Sequence, residues 1–395
     1  MNNISIDKIN SILQPSLDLI DNMKDELINL TIEITETIAP TFMEFQRGEL
    51  IFRKFIEMGY IVKRDEVGNI IASSDLNKLD DSIIVSAHLD TVFPDDITVK
   101  VTRKGDILHG PGVGDDSRGL AVLLTLARFL MPLSKKFPIV YVATVGEEGM
   151  GDLRGVKHLF NKINADNLLS CRVFITIDGS GSSRIITGAT GSKRYRVLYF
   201  GPGGHSYGAF GTVNPIYAMS KFLVEFANIT VSKSPKTTFS AGLINGGTSI
   251  NAIPEKVWVD IDLRSENEQK LIELQNKVFG LIDSSIYIEN SKGTGTISYE
   301  IKELGDRPCG LLDSNSELYE LIKSVNTFFD IETDFMYSST DANFPLSIGI
   351  PAFAIGGIEI SGRAHTVDEW IDAGESSLLI IKRNLMLIGA LSLQD

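Results

Sequence analysis

Three short apolar runs constrain this chain most: "SIIVSAHLD" (82–90), "PIVYVATVGEE" (138–148) and "CRVFITIDG" (171–179). Each is a mostly continuous β-branched or aromatic run, the way strands covered on both faces read. "DSRGLAVLLTLARFL" (116–130) is apolar along a helical length, as a helix packed on such a sheet would be. The pattern predicts an open mixed α/β sheet layered by helices. Each run also ends in acidic or imidazole groups: His88 and Asp90, Glu147 and Glu148, and Asp178. Ligand sites in open α/β sheets lie beyond the carboxyl ends of the strands, so these groups are expected at one edge.

Near residue 190 the pattern changes. "SKRYRVLYF" (192–200) reads as a strand and "NPIYAMSKFLVEFANI" (214–229) as a helix, with Pro215 in its first turn. "TTFSAGLIN" (237–245) and "KVWVDIDLR" (256–264) read as strands. Ser265 and Glu268 form a capping-box pattern before a second helix, and "TISYEIKEL" (296–304) closes the series. This is the split βαβ order of a ferredoxin-like α+β unit. The expected organisation is a discontinuous first domain of residues 1–189 and 305–395 with an inserted domain of residues 190–304. The chain is expected to return to the first domain through "LYELIKSVNTFF" and the strand-like "IPAFAIGG".

A formal charge of −14 argues against nucleic acid or an anionic membrane as partner. Two cysteines, Cys171 and Cys309, make neither a disulfide framework nor a thiolate zinc site. The first residues, "MNNISIDKIN", lack the basic-then-apolar pattern of a signal peptide, and no uninterrupted apolar stretch is long enough to span a bilayer. A cytoplasmic protein is expected.

Alternation places His88 and Asp90 on one face, where His88 can ligate a metal through one ring nitrogen and donate its other N–H to Asp90. "HGPGVGDDSRGL" (109–120) is a glycine-rich loop without the Gly-Lys-Ser/Thr of a phosphate loop. It presents Asp115 and Asp116; the plain alternative for Asp116 is a helix N-cap. In "VGEEG" two adjacent glutamates follow a buried run, one able to hold a metal while the other acts as general base. His365 stands late, in "SGRAHTVDEW". Two histidines and four carboxylates (Asp115, Glu147, Glu148 and Asp178, leaving out Asp90 and the cap candidate Asp116), without thiolate, suit zinc, or sometimes cobalt or manganese, and a shared carboxylate would make a two-metal pair. "GHSYG" (204–208) raises a rival: G-x-S-x-G is the serine-hydrolase elbow, with Ser206 as nucleophile and Asp341 and His365 as later partners.

"SAHLDTV", "GPGVGDDSRGLAVLL", "VGEEG", "TIDG", "GPGGHS", "GGTSINAIP" and "RAHTVDEW" occur in the order of one family. From about Ser86 to Trp370 the chain resembles the two-zinc metallohydrolases that include peptidase T, carboxypeptidase G and the aminoacylases. The resemblance implies a zinc-exopeptidase catalytic domain with a lid that is usually also the dimerisation domain. By motif, His88 and Asp178 would complete one zinc site and Glu148 and His365 the other, with Asp115 bridging through a cis peptide to Asp116. Asp90 would orient His88. Glu147 would take a proton from the bridging water and deliver it to the leaving amine. His205, rather than Ser206, would work in the glycine-rich loop, stabilising the oxyanion, typically at the other subunit's site. Asn251 would hydrogen-bond the substrate, Arg264 would bind a substrate carboxylate, and Asp341 is a candidate for shaping the substrate site. Ser117, followed by Arg118, departs from the lysine of many members. Asp178, where deacylases usually have glutamate, favours the peptidases. The implied function is a two-metal exopeptidase on short peptides, aminopeptidase- or tripeptidase-like and dimeric. The alternatives are an N-acyl amino acid amidohydrolase or carboxypeptidase on the same site, and a silent peptide-binding protein of the same fold.

Overall fold

A computed structural model describes residues 5–76, 81–132, 137–166 and 171–393. The first four residues of the stretch read for a signal peptide lie outside these. Two compact units result, one of residues 1–189 and 311–395 and one of residues 190–310. The expected return at residue 304 falls inside strand Ser298–Arg307, whose pairing to the second unit continues through Arg307 opposite Ser192.

In the first unit a nine-stranded mixed sheet has four parallel strands side by side: Ile139–Thr144, Ser82–His88, Cys171–Ile177 and Ala352–Ile355. Ile83, Val85 and Ala87 face one core, shared with Leu120 and Leu126 of helix Gly119–Leu130 and with Ile381 and Leu385 of helix Glu375–Leu393. Ile84, Val140, Val142 and Phe174 face the opposite core, with Val156 and Phe160 of helix Arg154–Asp166. Burial on both faces is why the runs lack polar alternation. Helix Glu375–Leu393 is long and apolar enough to cross a membrane, but 78% of its apolar window is buried within the fold.

The second unit has the order Gly191–Phe200, Pro215–Ala227, Thr237–Gly246, Lys256–Ser265, Glu268–Asn290, Ser298–Arg307. Its four strands form an antiparallel sheet ordered Thr237–Gly246, Lys256–Ser265, Gly191–Phe200, Ser298–Arg307, the ferredoxin-like arrangement. Val197, Val259, Phe222 and Val278 sit in its core. One expectation is corrected. The second helix is capped by Asn267, whose side chain accepts from the Lys270 N–H at 3.0 Å, because Ser265 is still in the strand and its hydroxyl accepts from the Asn267 N–H.

Candidate metal centre

The four parallel strands end at one edge, and register sets what meets there. His88 is the last residue of its strand, opposite Thr144; Asp178 follows Ile177, which lies opposite Ile355. The strand Ile139–Thr144 stops three residues short of Glu147, so the two glutamates stand on a loop. That loop is held by Asp90, whose carboxylate accepts from the Glu147 N–H at 2.9 Å, the Glu148 N–H at 3.0 Å and the Thr41 hydroxyl at 2.8 Å. The His88 Nδ1 lies 3.0 Å from the Asp90 main-chain carbonyl and 3.7 Å from its carboxylate, so Asp90 faces the imidazole with both groups.

Asp115 occupies the centre. Its Oδ1 is 2.9 Å from His88 Nε2, its Oδ2 is 3.0 Å from His365 Nε2, and the Asp115–Asp116 peptide is cis. His365 Nε2 also lies 3.0 Å from Glu148 Oε1. Among the described residues, metal-type donor atoms within 4.8 Å of one another form three sets: His88, Asp115 and Asp178; Asp115, Glu148 and His365; and His88, Glu147 and Glu148. Asp116 is not a helix cap. Its Oδ2 accepts from the His88 N–H at 2.9 Å, and it packs so closely on Gly119 that a Cβ there would lie 1.9 Å from Asp116 Oδ1.

The electrostatics ask for cations. Burial first, then the charges of Asp115, Glu148 and Asp341, push the Asp178 carboxyl up to about 7. Hydrogen bonds to Asp115 and Glu148 push His365 up to about 11. Burial opposes the His88 charge, yet the bond to Asp115 and the nearby Asp116 and Asp90 hold its pKa well above the usual imidazole value. Closely placed buried carboxylates favour positive charge beside them, whether carried by a protonated imidazole or by a bound cation. A donor set of nitrogen and oxygen without thiolate fits one or two divalent cations.

Over residues 84–385 the sequence matches the family model described as peptidase family M20/M25/M40. The chain belongs to that family. Its members are metallopeptidases and amidohydrolases. A relative in Bacillus subtilis (strain 168), the uncharacterized protein YqjE, is 23% identical, the match spanning 90% of this chain and 97% of the relative. A tripeptidase structure from Staphylococcus aureus superposes with a TM-score of 0.76 at 22% identity, covering 93% of this chain and 99% of that one. The aminopeptidase PepT from Bacillus cereus gives 0.73 at 20% identity, covering 93% and 98%. Both structures share the M20 fold described above.

Other expected residues stand in the second unit. His205 is exposed, and its Nδ1 accepts from the Tyr207 and Gly208 N–H groups at 3.3 Å, which places the proton of a neutral ring on Nε2. Ser206 donates its N–H to the Asn251 carbonyl, and the next helix begins only at Pro215, so no strand-turn-helix elbow exists. The Asn251 side chain accepts from the Ser249 hydroxyl at 2.6 Å. The Arg264 Nε donates to Asp262 at 2.7 Å, a carboxylate also used by Arg194. In the first unit Asp341 is a buried turn residue that accepts from the hydroxyl of Thr144, the last residue of its strand. Arg118 is buried and donates to the Thr31 hydroxyl at 3.2 Å. Sequence reasoning missed Thr41 and Glu369. The second lay within the quoted "RAHTVDEW", four residues after His365.

Proposed function

We propose that this M20 member is a two-metal exopeptidase of short peptides, acting in the manner of an aminopeptidase or tripeptidase. The observation that carries the reading is the Asp115 carboxylate standing with one oxygen toward His88 and the other toward His365. His88, Asp115 and Asp178 would hold one cation, and Asp115, Glu148 and His365 the second, most simply Zn²⁺, with Co²⁺ or Mn²⁺ compatible. Bound cations supply polarisation of the scissile carbonyl and a lowered pKa for water. Glu147, on the loop that Asp90 anchors, takes the proton and passes it to the leaving amine. His205, with its Nε2–H available, donates to the developing oxyanion. Asn251 and Arg264 contact the substrate, Arg264 after exchanging Asp262 for a substrate carboxylate. The second unit serves as lid and homodimer surface, in a cytoplasmic enzyme. The peptidase reading is supported by the family and by the peptidase names of both structural neighbours.

Metal per chain, measured after zinc loading and dialysis, should approach two and be lost together with activity on chelation. The loaded protein should then cleave tripeptides in preference to dipeptides and N-acyl amino acids. Preference for N-acyl amino acids would replace the peptidase by an amidohydrolase. Release from the carboxyl end would make it a carboxypeptidase. Peptide binding without cleavage of any substrate would leave a silent binding protein.

A further inference from the structure

Glu369 belongs to none of the donor sets, yet its carboxylate is almost wholly buried (1% exposed) and grips a single loop. Its Oε2 accepts from the Gly112 N–H at 3.0 Å, and its Oε1 accepts from the Gly114 N–H at 2.8 Å and the Asp115 N–H at 2.9 Å. The Glu369 carbonyl takes the Gly110 N–H of the same loop at 2.9 Å. In the other direction Glu369 is tied to the His365 segment, where the Thr366 N–H donates to the Arg363 carbonyl and the Glu369 N–H to the Thr366 carbonyl, both at 3.1 Å. One residue therefore joins the loop that carries Asp115 to the segment that carries His365.

The loop does not hold that shape through regular secondary structure. Gly112 lies at φ 71°, and Asp115 at φ −115°, ψ 92° interrupts the helical turn around it. A Cβ at Gly114 would stand 2.9 Å from Glu369 Oε1 and 3.0 Å from Ile371 Cγ2, so a side chain there would push the carboxylate aside. A buried carboxylate accepting three N–H groups supplies the missing restraint. Resting on the two-metal reading, we infer that Glu369 is a positioning residue for the second cation. It sets the main chain at Asp115, and so decides whether that carboxylate presents one oxygen on each side.

Glutamine has the same size but turns one acceptor into a donor, so an amide N–H of the loop would face an NH₂ group. Co²⁺ titration of the full chain, followed by absorbance, tests the inference. Wild type should take two equivalents. Glu369→Gln should keep the first with little change and bind the second about 10–100-fold more weakly, the usual cost of losing a partner that orients a ligand. Gly114→Ala, which presses on the same carboxylate without changing its charge, should weaken the same equivalent and decides the question if Glu369→Gln does not fold. Two equivalents bound as tightly as in wild type, with only the melting temperature lowered, would make Glu369 merely structural and overturn the inference. Equal weakening of both equivalents also overturns it. A wild type that takes fewer than two equivalents defeats the two-metal reading itself, and this inference with it.

Discussion

Adjacent glutamates on the loop after one strand have different neighbours. Glu148 reaches His365, whereas Glu147 meets His88 and Glu148 in a set that excludes Asp115. This division is compatible with the proposed roles of Glu148 as ligand and Glu147 as base. Glu147→Gln keeps the side-chain volume and removes the base. Metal content should stay at the wild-type value while kcat falls by about 10²–10⁴-fold. Unchanged turnover of a tripeptide by this variant, with metal content verified, would remove Glu147 from its assigned role. Asp90 shows how much of a residue's work lies outside the motif that names it. The His-x-Asp spacing suggested a bond to an imidazole, and the carboxylate, 3.7 Å from that ring, also fixes the backbone under both glutamates.

At the scale of elements, the parallel strands matter because their carboxyl ends coincide. His88 and Asp178 reach one place through register alone, while the glutamates, Asp115 and His365 arrive on loops that need holding. Helix Glu268–Asn290 of the second unit illustrates how a cap is settled. Both Ser265 and Asn267 are cap-forming residues, and the one that leaves the strand first does the capping. Asn267→Ala should therefore destabilise the protein by about 1 kcal/mol, read by denaturant unfolding with the metals bound. A loss near zero would mean that the helix start draws nothing from that side chain.

For the whole molecule, the second unit leaves apolar surface that its own core does not use. Leu243 and Ile244 are 60% and 58% exposed on the edge strand Thr237–Gly246, and Tyr217 and Val224 are similarly open on helix Pro215–Ala227. An unpaired strand edge flanked by apolar side chains is a surface that a second copy can cover. Light scattering should accordingly give the mass of two chains, and Leu243→Glu combined with Ile244→Lys should shift it to one while leaving the fold intact. A wild type that runs as a monomer at micromolar concentration would refute the dimer.

The four parallel strands, the ferredoxin-like order and the candidate donor residues could be read along the chain, whereas edge strands such as Ile61–Arg64 and Arg184–Ala189 were not. Hydrophobic patterning is local, and His88, Asp115, Glu147, Glu148, Asp178 and His365 each sit in a short motif. What could not be read were relations between segments far apart in sequence. Glu369 grips a loop more than 250 residues earlier, at |i−j| = 254 for Asp115, and Thr41 meets Asp90 at |i−j| = 49. Nor does sequence tell a carboxylate that bonds an imidazole from one that bonds two amides, because the choice depends on which donors the fold delivers. Chain pattern by itself determined the layers, the strands and the kinds of atom at the sheet edge. Only the tertiary structure decided which of those atoms face one another, since hydrogen bonds and charge act through distance in space and not along the sequence.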